Sequence, residues 1–114
     1  YVYNKKLSID RTKKNLLKFK TKIFYHKGYV PEVLLDSNIP KMICFLHIDL
    51  NSSKPTLGAL EIFYPTLVKG GIIIFDDYAH SGYEDTKIVI DKFFKDKPGL
   101  LQKLPTGQAI YYKH

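Results

Sequence analysis

The stretch Gly70-Gly71-Ile72-Ile73-Ile74-Phe75-Asp76-Asp77-Tyr78 decides how this chain is read. Two glycines make a turn, four large apolar residues follow without alternation, and two carboxylates then stand side by side. An unbroken apolar run bounded by turn signals suits a strand buried on both faces, as in a parallel sheet flanked by helices. Ligands of such sheets bind in the crevice beyond the carboxyl ends of the strands. Asp76 and Asp77 fall at that end.

Working outward, residues 42–50 form a second apolar run, closing with His47-Ile48-Asp49-Leu50-Asn51. Ser52 and Ser53 open a loop, and Pro55 falls in the first turn of a helix, where a missing N–H costs little. Leu57, Leu60, Phe63 or Tyr64, and Leu67 recur on one helical face. Pro65 is expected to kink this helix and Gly70-Gly71 to end it. Strand, helix, strand in that order is a βαβ unit with a right-handed crossover.

Downstream, Ser81-Gly82-Tyr83-Glu84 has the spacing of a capping box. The helix it opens turns Thr86, Val89, Ile90, Phe93 and Phe94 inward and stops before Pro98-Gly99. Residues 100–104 and 108–112 read as two strands joined by Pro105-Thr106-Gly107, a terminal antiparallel hairpin. Ahead of the unit, residues 1–7 read as extended or irregular, and Ser8 caps a helix that runs to about Phe19. Residues 22–26 read as a short strand, Pro31 starts a helical turn, and residues 36–40 make a polar loop.

Composition narrows the classes. The apolar and charged fractions, 45% and 25%, are those of an ordinary globular domain. No apolar run approaches the roughly 20 residues that span a bilayer, and no signal peptide is visible, so no membrane partner is expected. The single cysteine, Cys44, lies in an apolar run. It reads as a buried small hydrophobe in a reducing compartment, which places the chain in the cytoplasm. Much of the net charge of +7 comes from lysines in the first 27 residues. They read as the solvated face of a helix. Arg11 is the only arginine and no nucleic-acid motif accompanies it, so no nucleic-acid partner is expected.

Asp49 and the pair Asp76-Asp77 fall at the ends of consecutive strands of one βαβ unit. Neighbouring strands lie roughly 4.8 Å apart, so three carboxylates would converge within a few ångströms. Like charges at that spacing raise one another's pKa unless a cation neutralises them. A single aspartate after a strand is accounted for by capping a helix or turn. Three together suit a hard divalent cation such as magnesium or calcium.

The segments Phe45-Leu-His-Ile-Asp49-Leu-Asn-Ser, Pro55-Thr-Leu-Gly-Ala-Leu-Glu and Tyr64-Pro-Thr-Leu-Val-Lys-Gly-Gly-Ile-Ile-Ile-Phe-Asp-Asp-Tyr78 resemble the second half of a class I S-adenosylmethionine-dependent methyltransferase. The nearest likeness is to the macrocin O-methyltransferase family, which methylates hydroxyls on sugar moieties of natural products. The resemblance extends upstream through residues 7–18 and His26-Lys-Gly28-Tyr29. It implies a Rossmann-like class I methyltransferase fold of the α/β class, mostly parallel, with a C-terminal antiparallel hairpin. By the same likeness Asp49, Asp76 and Asp77 match the family's divalent metal ligands, usually magnesium. Gly28 and Tyr29 match the loop bordering the adenine of S-adenosylmethionine, while His47 and Asp49 face the rest of that cofactor.

Two departures from the family pattern stand out. Asn51 and Ser52 occupy the positions where the family carries its general base, and neither is a competent base near neutral pH. His80, near the acidic pair, could substitute, although it also reads as a solvated loop histidine. The family's glycine-rich first strand and ribose-gripping acid have no counterpart here. The 114 residues are therefore expected to be the C-terminal part of a single methyltransferase domain, with its N-terminal strands missing and cofactor binding weak or absent in the chain alone.

A haloacid-dehalogenase-type phosphohydrolase would need an acid where Asn51 stands, and a receiver domain would carry its acidic pair before the lone aspartate. The expected function is a metal-assisted O-methyltransferase acting on a hydroxylated small molecule, compatible with a homo-oligomer. The alternative is an inactive scaffold or assembly domain with a vestigial acid cluster.

Overall fold

The computed structural model describes residues 8–36 and 38–114. The expected irregular start over residues 1–7, and Ser37 of the polar loop, lie outside them. The described elements are α1 (Ile9–Leu16), α2 (Glu32–Leu35), β1 (Ile43–Ile48), α3 (Ser53–Phe63), β2 (Leu67–Phe75), α4 (Glu84–Phe94), β3 (Gly99–Lys103) and β4 (Ala109–Lys113). They build one mixed sheet in the order β1-β2-β4-β3. β1 and β2 run parallel, while β2–β4 and β4–β3 run antiparallel. The βαβ unit and the hairpin stand as expected. The expected parallel majority does not: among the described residues one pairing of three is parallel.

The sheet has two unlike faces. Along β2, Ile73 and Phe75 are buried while Ile72 and Ile74 are only half-buried. Leu46 pairs with Ile73 and Ile48 with Phe75, so their side chains share the covered face. There α3 and α4 lay Leu60, Ile90 and Phe94 over Ile73, Phe75 and Tyr111 to make the core. Aromatic contacts tie it together: Phe94 meets Phe75 edge-on at 5.9 Å and Tyr111, tilted by 30°, at 4.0 Å between ring centroids. Phe45 and His47, paired with Ile72 and Ile74, share the opposite face, and both are exposed. The expectation of strands buried on both faces is thus corrected. Cys44 is exposed rather than buried; it lies on β1, an edge strand among the described residues, beside the register shift between Ile43 and Phe45.

Element ends differ from expectation for local reasons. Pro65 does not kink a continuing helix. α3 stops at Phe63, and Tyr64–Thr66 tighten into a 3-10 turn with Pro65 in its opening positions, because proline has no N–H to continue the α ladder. Leu67 then belongs to β2 rather than to the helical face. Gly70-Gly71 lies inside that strand, not at a helix end. From Ile43 to Phe45 the partner register advances from Leu67 to Ile72, and the surplus residues bulge at Gly70, whose φ of +76° favours glycine.

Ser81 is not the cap of α4. Tyr83 occupies that position, and Glu84 reaches back to accept the Gly82 N–H at 3.1 Å. Its own backbone N–H and that of Gly82 hold the Glu84 carboxyl below its ordinary pKa.

The leading segment is loosely held. Ser8 caps α1 as expected, accepting the Arg11 N–H at 3.1 Å, but the helix ends at Leu16 and buries no residue. Residues 22–26 form no strand. A strand exists only with a neighbour to take its backbone N–H and C=O groups, and among the described residues none lies alongside. No helix among them is long and apolar enough to cross a membrane.

Candidate metal and cofactor site

The register of β1 against β2 builds the acid cluster. Ile48 pairs with Phe75, and the Asp76 N–H donates to the Ile48 carbonyl at 3.0 Å, so both strands end at one level. Asp49, Asp76 and Asp77 each bring a carboxylate oxygen to within 4.8 Å of the others. The expected convergence of the three acids is therefore present.

Alternation along the chain gives the two neighbouring acids different surroundings. Asp76 continues the open face, with its Oδ1 3.9 Å from His47 Nε2. That oxygen also accepts a hydrogen bond of 2.7 Å from Gln108 Nε2. Asp77 points to the covered side and is about 9% exposed. Its Oδ2 accepts the Asn51 N–H at 3.1 Å. Burial pushes the Asp77 carboxyl up from its ordinary pKa, the Asn51 N–H pulls it down, and the charges of Asp49 and Asp76 push it up again. Among the described residues no lysine or arginine forms an ion pair with any of the three. An all-oxygen, anionic donor set with no lysine or arginine paired to it among the described residues fits a hard divalent cation.

Asn51 carries a second duty. It sits at φ +53°, a left-handed turn that asparagine tolerates better than most residues. That turn aims its N–H at Asp77, while its Oδ1 accepts the Tyr83 hydroxyl at 3.1 Å. Ser52 is the cap residue of α3, its carbonyl accepting from Thr56 N–H and Oγ1. Both positions are structural. His80 is exposed and lies edge-on to Tyr83, with centroids 6.4 Å apart.

The four residues matched to the cofactor divide between two hollows. Gly28 and Tyr29 line one of about 630 Å³ together with Val30, Pro31, Lys54 and Pro55. His47 and Asp49 line another of about 220 Å³ with Val30, Leu34, Ala59 and Phe63. Val30 is common to both. Gly28 is required by close approach, since a Cβ there would lie 2.8 Å from Val33 Cβ. Tyr29 is 89% exposed.

Gln108 and Tyr83 were not among the expected site residues. Phe75 pairs with Ala109, so Gln108 faces Asp76 one step further out. Only the hairpin register, which composition does not encode, would have found it.

Over residues 3–111 the chain matches the family described as Macrocin-O-methyltransferase (TylF). Its fold is similar to that of the O-methyltransferase NovP, with a TM-score of 0.77 at 20% identity, covering 90% of this chain and 42% of that one. It is also similar to CalS11, described as a TDP-rhamnose 3'-O-methyltransferase and an enzyme in calicheamicin biosynthesis. That likeness has a TM-score of 0.54 at 27% identity and covers 62% of this chain and 32% of that one. The chain thus spans less than half the length of these structures. No curated protein matches it.

Proposed function

The chain belongs to the macrocin-O-methyltransferase family, and on that premise we propose that it serves a metal-assisted O-methyltransferase acting on a hydroxyl of a sugar-containing small molecule. The observation that carries the reading is the meeting of Asp49, Asp76 and Asp77 at one end of β1 and β2. In this reading the three carboxylates hold magnesium, which when bound supplies the Lewis acidity that lowers the pKa of an acceptor hydroxyl. S-adenosylmethionine supplies the methyl group from its sulfonium.

This chain's own residues would supply placement. Val30, Pro31 and Pro55 give an apolar wall beside Gly28 and Tyr29, suited to the flat adenine. His47 and Asp49 would border the remainder of the cofactor, and Asp49 would then serve both the cofactor and the cation. Asn51 and Gln108 would steady the Asp77 and Asp76 carboxylates through the hydrogen bonds they donate. Neither Asn51 nor Ser52 can take a proton near neutral pH, so the reading assigns no general base to them. Rate enhancement would come mainly from alignment of donor and acceptor. The reading has a small-molecule acceptor as partner, a cytoplasmic setting, and no nucleic acid or membrane.

Thermal melting with and without magnesium, alongside calorimetric titration of S-adenosylhomocysteine, tests it. Magnesium is expected to raise the melting temperature of the wild-type chain and not of Asp49→Ala. Equal shifts in both would remove the acids from the assignment. A folded chain indifferent to magnesium would point instead to an assembly domain with a vestigial acid cluster, whereas weak or absent S-adenosylhomocysteine binding is expected of this chain alone.

A further inference from the structure

The loop between β3 and β4 touches the acid cluster at Asp76 and the segment that follows it at Ala79 and His80. Gln108 Nε2 donates to Asp76 Oδ1 at 2.7 Å. The other end of that amide is also fixed, because Gln108 Oε1 accepts the Thr106 hydroxyl at 2.9 Å. The Ala79 N–H donates to the Gly107 carbonyl at 2.7 Å, which ties the loop to the segment that follows Asp77. Gly107, at φ +88°, lies so close to His80 that a Cβ would come within 2.8 Å of its imidazole.

A carboxylate beside two other carboxylates is driven to rotate away from them. The Gln108 amide opposes that rotation. It occupies Oδ1 of Asp76 with a donor whose own orientation Thr106 sets, and leaves Oδ2 for another partner. Outer hydrogen bonds of this kind orient metal ligands and commonly govern affinity. We infer that Gln108, steered by Thr106, is a positioning residue that holds the Asp76 carboxylate in place and sets the affinity of the acid cluster for a divalent cation. The inference rests on the metal reading above.

The test uses Mn2+ as probe on the whole chain, followed by water-proton relaxation, with cation-free thermal melting as the control for folding. Gln108→Met keeps volume and removes the donor. It is expected to weaken Mn2+ binding by about tenfold or more, to alter the relaxation enhancement of the bound ion, and to leave cation-free melting unchanged. Thr106→Val, at an exposed position, is expected to weaken binding in the same direction by a smaller factor. Mn2+ binding by Gln108→Met equal to wild type overturns the inference and leaves the metal reading standing. No Mn2+ binding by the wild type overturns both. Should Gln108→Met melt early, Thr106→Val decides: weaker binding supports the inference, and unchanged binding overturns it.

Discussion

The two faces of the sheet draw on the same strands and nearly the same residue types, yet only one is packed. Ile73, Phe75 and Tyr111 lie under α3 and α4, while Phe45, Ile72, Ile74 and Tyr112 look the other way. An unbroken apolar run therefore records how well each face could be covered, and not which face is. Burial, and with it stability, is set by what packs against a residue, so the contrast can be pushed from either side.

The largest effect is expected at Phe75. Phe75→Ala should lower unfolding free energy by about 3–5 kcal/mol in equilibrium denaturation, because the ring is buried and held edge-on by Phe94. A loss as small as that of a surface substitution would break the comparison. Next come the adjacent tyrosines. The Tyr111 hydroxyl donates to the Pro98 carbonyl and meets the Tyr64 hydroxyl at 3.3 Å, and burial drives its pKa well above the ordinary tyrosine range. Tyr111→Phe should cost about 1–3 kcal/mol, whereas Tyr112→Phe should stay within about 0.5 kcal/mol.

The adjacent aspartates extend the contrast to the site. The pKa of Asp77 is raised in the folded chain, so the folded state binds that proton more tightly than the unfolded state. Without cation, this group's contribution favours folding at low pH and declines as pH rises through the carboxylate range. Asp77→Asn should therefore flatten that decline in cation-free melting curves recorded against pH. A decline left intact in the variant would assign it to other groups. The smallest effect is expected on the open face: Phe45→Ala, at a residue 56% exposed, should change stability by no more than about 0.5 kcal/mol.

Much of this arrangement is legible from the chain. The run from Ile72 to Asp77 and the ending of residues 42–50 at Asp49 are local signals, and two parallel strands of matched length must bring their ends together. The hairpin is equally local, announced by Pro105-Thr106-Gly107. What escapes the sequence depends on partners. Residues 22–26 have strand-like composition, but no strand lies beside them among the described residues. Cys44 is apolar in context but stands on an edge strand of the described sheet. Ser81 has a capping-box spacing, yet Tyr83 takes the cap position. Gln108 acts on a residue 32 positions away, through a register fixed only once the hairpin docks.

The strand order has a consequence for synthesis. Among the described strands β4 comes after β3 in the chain, yet it lies between β2 and β3. A nascent chain that has emerged only as far as Pro98 can zip β1 to β2 and lay α3 across them, but β2 still offers a free inner edge and Phe94 still lacks Tyr111. β3 cannot dock in the interim, because the strand it pairs with is not yet present. Closure of this sheet thus waits until residues 109–113 can pair with both β2 and β3 at once.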